Sequence, residues 1–151
     1  MIFTQGAFNV VIQNSKVLMV KRRDLPLWDL PGGKVEHYET PQQAAIREMH
    51  EETGYHVEIF YEYGQYFDNQ RKDCQHLFFS QIVDGNAVNE TAESRQLRWF
   101  SINRLPLNMV PNRRKQIRDA LLSRRVSYEI VAKYEISENA LIRCIRKLLK
   151  L

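Results

Sequence analysis

Cysteine is scarce in this 151-residue chain, and its two residues, Cys74 and Cys144, form neither a CxxC pair nor a disulfide framework. Both thiols are expected to be reduced and structural. The four histidines, His37, His50, His56 and His76, lack HxxxH spacing, which leaves a zinc site without support. Any metal is expected to be held by oxygen. No stretch approaches the roughly 20 apolar residues that span a bilayer, so no membrane partner is expected. The opening MIFTQGAFNVVIQNSKVLMV alternates with polar residues and has no basic start leading into an unbroken apolar core. A cytoplasmic protein is the expectation. Internal repeats and low-complexity linkers are also missing.

What is present is an ordinary globular composition, 44% hydrophobic and 26% charged, at a length that buries a core without staples. The net charge of +4 hides an asymmetry. Residues 1–112 carry 11 basic and 14 acidic groups, and residues 113–151 carry 11 basic and 4 acidic. A basic block of this kind suits phosphate or nucleic-acid contact, or the solvated face of an amphipathic helix.

The patterning predicts strands over Ala7 to Ile12 and Val17 to Arg22, joined by Asn14 and Ser15, after which Leu30-Pro31-Gly32-Gly33 breaks the run. A helix is predicted from Thr40 to Thr53, with Thr40 as N-cap, Pro41 in the first turn, Gln43 completing a capping box and Gly54 as the stop. Further strands are predicted over His56 to Tyr63, Cys74 to Val83 and Leu97 to Phe100, with polar loops near 68–73 and 84–95. Helices are expected from Asn112 to about Leu122, then over 127–134 and 137–149. The order of elements implies an α/β fold with a mixed sheet.

Within the predicted helix, Glu48, Glu51 and Glu52 share one stripe: at about 100° per residue, Glu51 lies about 60° to one side of Glu48 and Glu52 about 40° to the other. Ala45, Ile46 and Met49 form the adjoining apolar stripe. Carboxylates crowded this closely repel unless a positive charge lies among them. A hard divalent cation fits, magnesium first and manganese as the alternative, since it favours carboxylate oxygen and bridges to phosphates. Arg47 is placed to pair with Glu51 one turn on, although Arg before Glu is the weaker order. Gly32 and Gly33 let backbone approach metal and phosphates closely, with Lys34 beside them.

Residues 33–55 resemble the Nudix box: Gly33, five residues, Glu39, seven residues, Arg47-Glu48, apolar Met49, one residue, Glu51-Glu52, one residue, Gly54 and a final apolar position held by Tyr55. Tyr55 stands where an aliphatic residue is usual, and Tyr38 where glycine is often found. The resemblance extends outward through Trp28-Asp29-Leu30-Pro31-Gly32. It implies an α/β/α sandwich, a metal-dependent hydrolase acting on a pyrophosphate bond of a nucleoside diphosphate derivative, and water attack on phosphorus. It also implies that Glu48, Glu51, Glu52 and the Gly32 carbonyl hold the metal, with Glu39 bracing the loop or binding a further ion. The general base is drawn from Glu52 or Glu48 in the box, or from Glu90 or Glu93 in a later loop. The rigid helix favours the box.

The segment Trp28 to Glu36 resembles the MutT branch, whose members hydrolyse oxidised purine nucleoside triphosphates. Asn112 resembles the asparagine with which that branch recognises the purine, and after Pro111 it also suits an N-cap. Arg22 and Arg23, with Lys21, suit phosphate contact or plain solvation at a strand end. Trp28 suits stacking on a base or closing the core. ADP-ribose, dinucleoside polyphosphates, nucleotide sugars and RNA 5′ ends remain alternatives.

The chain therefore divides into a hydrolase domain over 1–124 and a basic helical extension over 125–151. The extension places apolar residues at Ile130, Val131, Ile136, Leu141 and Ile145 much as a helix-turn-helix does. Helical packing or homodimerisation is the favoured role for it, with DNA binding by a ligand-sensing regulator the alternative.

Overall fold

The computed structural model describes residues 2–88 and 96–132. Strand β1 (Thr4–Gln13) turns through Asn14 and Ser15, at φ 50° and 60°, into β2 (Lys16–Lys21). Positive φ at both central residues is the hairpin geometry that matches strand twist, and asparagine adopts it readily. Two short strands follow, β3 (Trp28–Asp29) against β2 and β4 (Gly32–Lys34) against β1. The Leu30-Pro31-Gly32-Gly33 segment is thus not wholly a break. Its glycines are ladder residues, with Ala7 opposite Gly33 and Phe8 opposite Gly32.

Helix α1 (Pro41–Thr53) leads into β5 (Tyr55–Asp68), β6 (Asp73–Gly85), β7 (Leu97–Ser101) and α2 (Arg113–Ala132). The principal strand order is β3-β2-β1-β6-β5, with β7 on β2 and β4 on β1. Among the named strands of the described residues only β1 and β6 pair in parallel, so the sheet is mixed, as the element order implied.

The helices lie on opposite faces. Ala44 and Ala45 of α1 pack on Ala7 and Phe78, and Met49 on Val11, Leu18 and Val57. Ile117 and Ala120 of α2 pack on Val10, Leu77 and Phe79. Central β2 is covered on both sides, which is why Val17 to Val20 are all buried. The result is the expected α/β/α sandwich.

Two expectations need correction. Ile46 is 39% exposed, and its place in the buried stripe is taken by Ala44, because small side chains let α1 lie close to the sheet. Helix α2 does not end near Leu122. It runs without a break to Ala132 and passes through the proposed boundary at residue 124, since the segment contains no glycine or proline to stop it. The stretch 137–149, and with it most of the suggested helix-turn-helix, lies outside the described residues, as do Glu90, Glu93 and Cys144. No helix among the described residues is long and apolar enough to cross a membrane.

Candidate active site

Helix α1 begins and ends where local chemistry dictates. Thr40 Oγ1 accepts from Gln43 N at 3.2 Å, and Gln43 Oε1 accepts from Thr40 N at 2.9 Å, which closes the capping box. At the other end Gly54 adopts φ 81° and donates its N–H to His50 O. Thr53 Oγ1 donates to Met49 O and accepts from Tyr55 N, so the exit into β5 is held as well.

This framed helix presents Arg47 to three carboxylates. Its Nη1 donates to Glu48 at 3.0 Å and Glu51 at 3.1 Å, while Nε and Nη2 grip Glu39 at 3.0 and 2.6 Å. Nη2 also reaches the Lys34 carbonyl at 3.1 Å. Glu39 itself accepts from Glu36 N, which folds the loop before α1 back on itself. The expected Arg47–Glu51 pair therefore exists but is the minor partner. The two-pronged grip on Glu39, whose carboxylate is only 6% exposed, is the major one. Hydrogen bonding from Arg47 holds the Glu39 carboxyl below its ordinary range, and the same contact raises the guanidinium further above its own.

Glu52 is 3% exposed, and its Oε2 accepts from Gly32 N at 3.3 Å, so the far end of the acidic stripe lies against the glycine loop. Glu48 lies against the same loop one residue on. A Cβ on Gly33 would stand 2.6 Å from the Glu48 carboxyl carbon. Among the described residues no three acidic, histidine or cysteine side chains converge as a metal-binding cluster. Instead Glu48 and Glu51 turn onto Arg47, and Glu52 turns onto the loop.

The donor set nonetheless fits a divalent cation. Glu39, Glu48 and Glu51 bring three carboxylates to the Arg47 guanidinium, Glu52 adds a fourth against the glycine loop, and all four offer hard oxygen. The bare Cα of Gly33 is what lets the Glu48 carboxylate sit against the loop beside the Gly32 backbone.

The remaining predicted residues fare differently. Arg22 is engaged with Asp24 at 2.7 Å, and Arg23 is exposed near it. Lys34 is exposed at the end of β4. Trp28 is 7% exposed and meets Phe100 edge-on at 4.9 Å, so of its two roles the structure displays core closure. Asn112 lies at the head of α2 and its carbonyl accepts from Gln116 N. It is exposed and adopts φ 73° instead of the extended backbone of an N-cap. Among the described residues its side chain bonds to no helix amide, so the N-cap reading is not met.

Several residues that hold this site together carried no sequence signal. Buried Asn9 donates to Ala45 O at 2.9 Å and Pro31 O at 3.3 Å, tying β1 to both α1 and the glycine loop. Buried Arg113, at the head of α2, meets Asp29 of β3. His76 is held between Glu62 and Gln5, each at 2.6 Å. None of these pairs is local, and no periodicity announces them. The only available hint was that polar residues stand where a core strand would be apolar.

Comparison with known proteins agrees with this architecture. Residues 3–120 match the family model of the NUDIX domain. A Bacillus subtilis (strain 168) protein named "Putative 8-oxo-dGTP diphosphatase" is 49% identical over 118 residues, covering 78% of this chain and 79% of that protein. An "ADP-ribose pyrophosphatase" of Methanocaldococcus jannaschii is 30% identical over 103 residues, covering 64% of this chain and 61% of its own length. Among solved structures, a UDP-X diphosphatase superposes with a TM-score of 0.75 at 22% identity, covering 83% of this chain and 64% of that one. That likeness bears on the fold alone. Three acids meet on Arg47 and a fourth lies against the glycine loop, an acid-rich arrangement in keeping with a family that generally works with divalent metals, and the chain belongs to that family: this is a member of the Nudix family, of the pyrophosphohydrolase class.

Proposed function

We propose that this protein hydrolyses an oxidised purine nucleoside triphosphate of the 8-oxo-dGTP type, cutting a pyrophosphate bond by attack of water on phosphorus. The observation that carries this reading is the 49% identity, over 118 residues, to a relative named for that substrate. Geometry supports it at both ends of the site. Glu48, Glu51, Glu52 and the Gly32 carbonyl would hold magnesium, with manganese able to replace it, and the cation would offset charge on the phosphate oxygens and the leaving group. Glu52, buried and set on a rigid helix, is the proposed general base, taking the proton of the attacking water. Arg47 holds Glu48 and Glu51 in place. Arg23 and Lys34 are the proposed phosphate contacts. Exposed Asn112, with its amide uncommitted to the helix, is the proposed reader of the purine.

The test is a panel of 8-oxo-dGTP, ordinary dNTPs, ADP-ribose, diadenosine polyphosphates, nucleotide sugars and 5′-triphosphate RNA, with products identified by mass. Preference for 8-oxo-dGTP is expected, and Glu52→Gln abolishes turnover. Unchanged turnover in that variant would sink the site assignment. The Methanocaldococcus relative favours ADP-ribose as a second reading, and a preference for it in the panel would replace the first.

A further inference from the structure

The head of α2 is bound to the glycine loop by a pair of charges that the chemistry above does not use. Arg113 is 2% exposed and Asp29 6% exposed. Arg113 Nε donates to Asp29 Oδ1 at 2.5 Å, and Nη1 donates to Gln75 Oε1 at 2.8 Å and Gln116 Oε1 at 2.7 Å. The guanidinium lies 3.8 Å over the Phe8 ring, and that ring abuts the Gly32 backbone so closely that a Cβ on Gly32 would stand 2.6 Å from Phe8 Cδ1. Asp29 Oδ1 also accepts from Leu30 N at 2.8 Å, which fixes the start of the loop. Backbone bonds run beside the pair, from Trp28 N to Asn108 O and from Val110 N to Trp28 O.

Burying two charges costs most of what their attraction returns, and an apolar pair of similar volume is commonly as stable or more so. What an arginine fork supplies in such a place is direction, because its donors reach their acceptors in only one arrangement. Asp29 lies three residues before Gly32, and Arg113 directly follows Asn112. The pair therefore ties the residue after Asn112 to the strand that leads into Gly32.

We propose that Asp29 and Arg113 act as a positioning strut that sets the distance between Asn112 and the Gly32 backbone, and thereby determines which base the enzyme accepts. This rests on the reading of Asn112 as the base-contacting residue. The strut touches no reacting atom, so its loss should loosen selection of the base more than it slows the chemical step.

The experiment compares full-length wild type with Asp29→Asn, Arg113→Lys and the apolar double variant Asp29→Leu/Arg113→Met, measuring kcat and KM for 8-oxo-dGTP and dGTP in magnesium, together with Tm. In every variant the ratio of the two kcat/KM values is expected to fall by about tenfold or more, chiefly through KM for 8-oxo-dGTP. Half-saturation by magnesium should stay within about twofold of wild type. The double variant is expected to keep a Tm near wild type, which a merely stabilising role for the pair would not allow. Should the double variant fail to fold, the two single variants decide. An unchanged ratio in variants that keep their Tm overturns the strut. A wild-type enzyme that does not prefer 8-oxo-dGTP overturns the substrate reading instead, and the strut is then upheld or overturned by the same ratio, taken between the preferred nucleotide and an analogue with a different base.

Discussion

Replacing Gly33 with alanine tests the site at the point where it is tightest. The added Cβ would stand 2.6 Å from both the carboxyl carbon and Oε1 of Glu48, where ordinary contact begins near 3.4 Å, so the carboxylate must retreat by about 0.8 Å. The atoms that yield are the end of a flexible side chain, which keeps the folding cost near the low end of the ~1–3 kcal/mol typical of overpacking. Metal ligands tolerate about 0.2 Å of error, so the same displacement is large for the site. A retreat of this size is expected to lower kcat/KM by about 10- to 100-fold and to raise the metal concentration for half-maximal rate. The assay is hydrolysis across a magnesium titration, with a melting curve on the same preparation. Gly32→Ala serves as contrast. Its Cβ would stand 2.2 Å from Ala7 O and 2.7 Å from Phe8 Cα, neither of which can swing away, so loss of the folded protein is expected there. A Gly33→Ala enzyme with wild-type kcat/KM and wild-type metal half-saturation would refute the placement of Glu48 as a ligand.

Asn112→Gly separates stability from recognition. At φ 73° glycine relieves a conformation that costs other residues up to roughly 1–2 kcal/mol, so Tm should hold or rise while kcat/KM for 8-oxo-dGTP falls, and a retained kcat/KM counts against base contact. Trp28→Phe is expected to lower Tm by several degrees and leave KM unchanged, because the ring packs on Phe100 inside the core; a large rise in KM at a modest Tm loss would revive stacking on the base. Glu39→Gln addresses pH. The Glu39 carboxyl is held below its ordinary range by Arg47, so the unfolded chain binds its proton at higher pH than the folded one does. The stability this contributes is complete above about pH 4.3 and is lost as pH falls through the depressed value. Melts from pH 7 to 3 should show the gap between wild type and Glu39→Gln narrowing at the acid end, and a constant gap would remove the Arg47 pairing as its cause.

The parts of this molecule that were legible in the sequence are those set by neighbours in the chain. The limits of α1 follow from Thr40, Pro41, Gln43 and Gly54, all within a turn of the helix end they determine, and each is found in that role. The β1–β2 turn at Asn14 and Ser15 is equally local. Glu48, Glu51 and Glu52 were placed on one stripe by helix geometry alone. Local reasoning found the Arg47–Glu51 pair one turn ahead, but not the stronger partner, Glu39, which lies eight residues back across a loop. The expected end of the helix near Leu122 is likewise not met, since α2 runs on to Ala132 with no breaking residue in the segment.

Asp29 and Arg113 are 84 residues apart, and Asn9 reaches Ala45 across 36, so nothing in either neighbourhood foretells the contact. This difference in range has a functional counterpart. The acidic helix and its caps are encoded within about two dozen consecutive residues, and so is the chemistry assigned to them. Relatives that share the fold are named for different substrates, so the fold by itself does not set the substrate. Here the described candidates are the exposed residue at the head of α2 and the buried contacts that hold that head against β3 and the glycine loop. Substitutions within Gly33 to Tyr55 should therefore act on rate for every nucleotide alike, whereas substitutions at Asp29, Asn112 and Arg113 should act on the ratio between nucleotides. A variant of Asp29 that keeps its Tm and slows all substrates equally, leaving the ratio unchanged, would overturn this division.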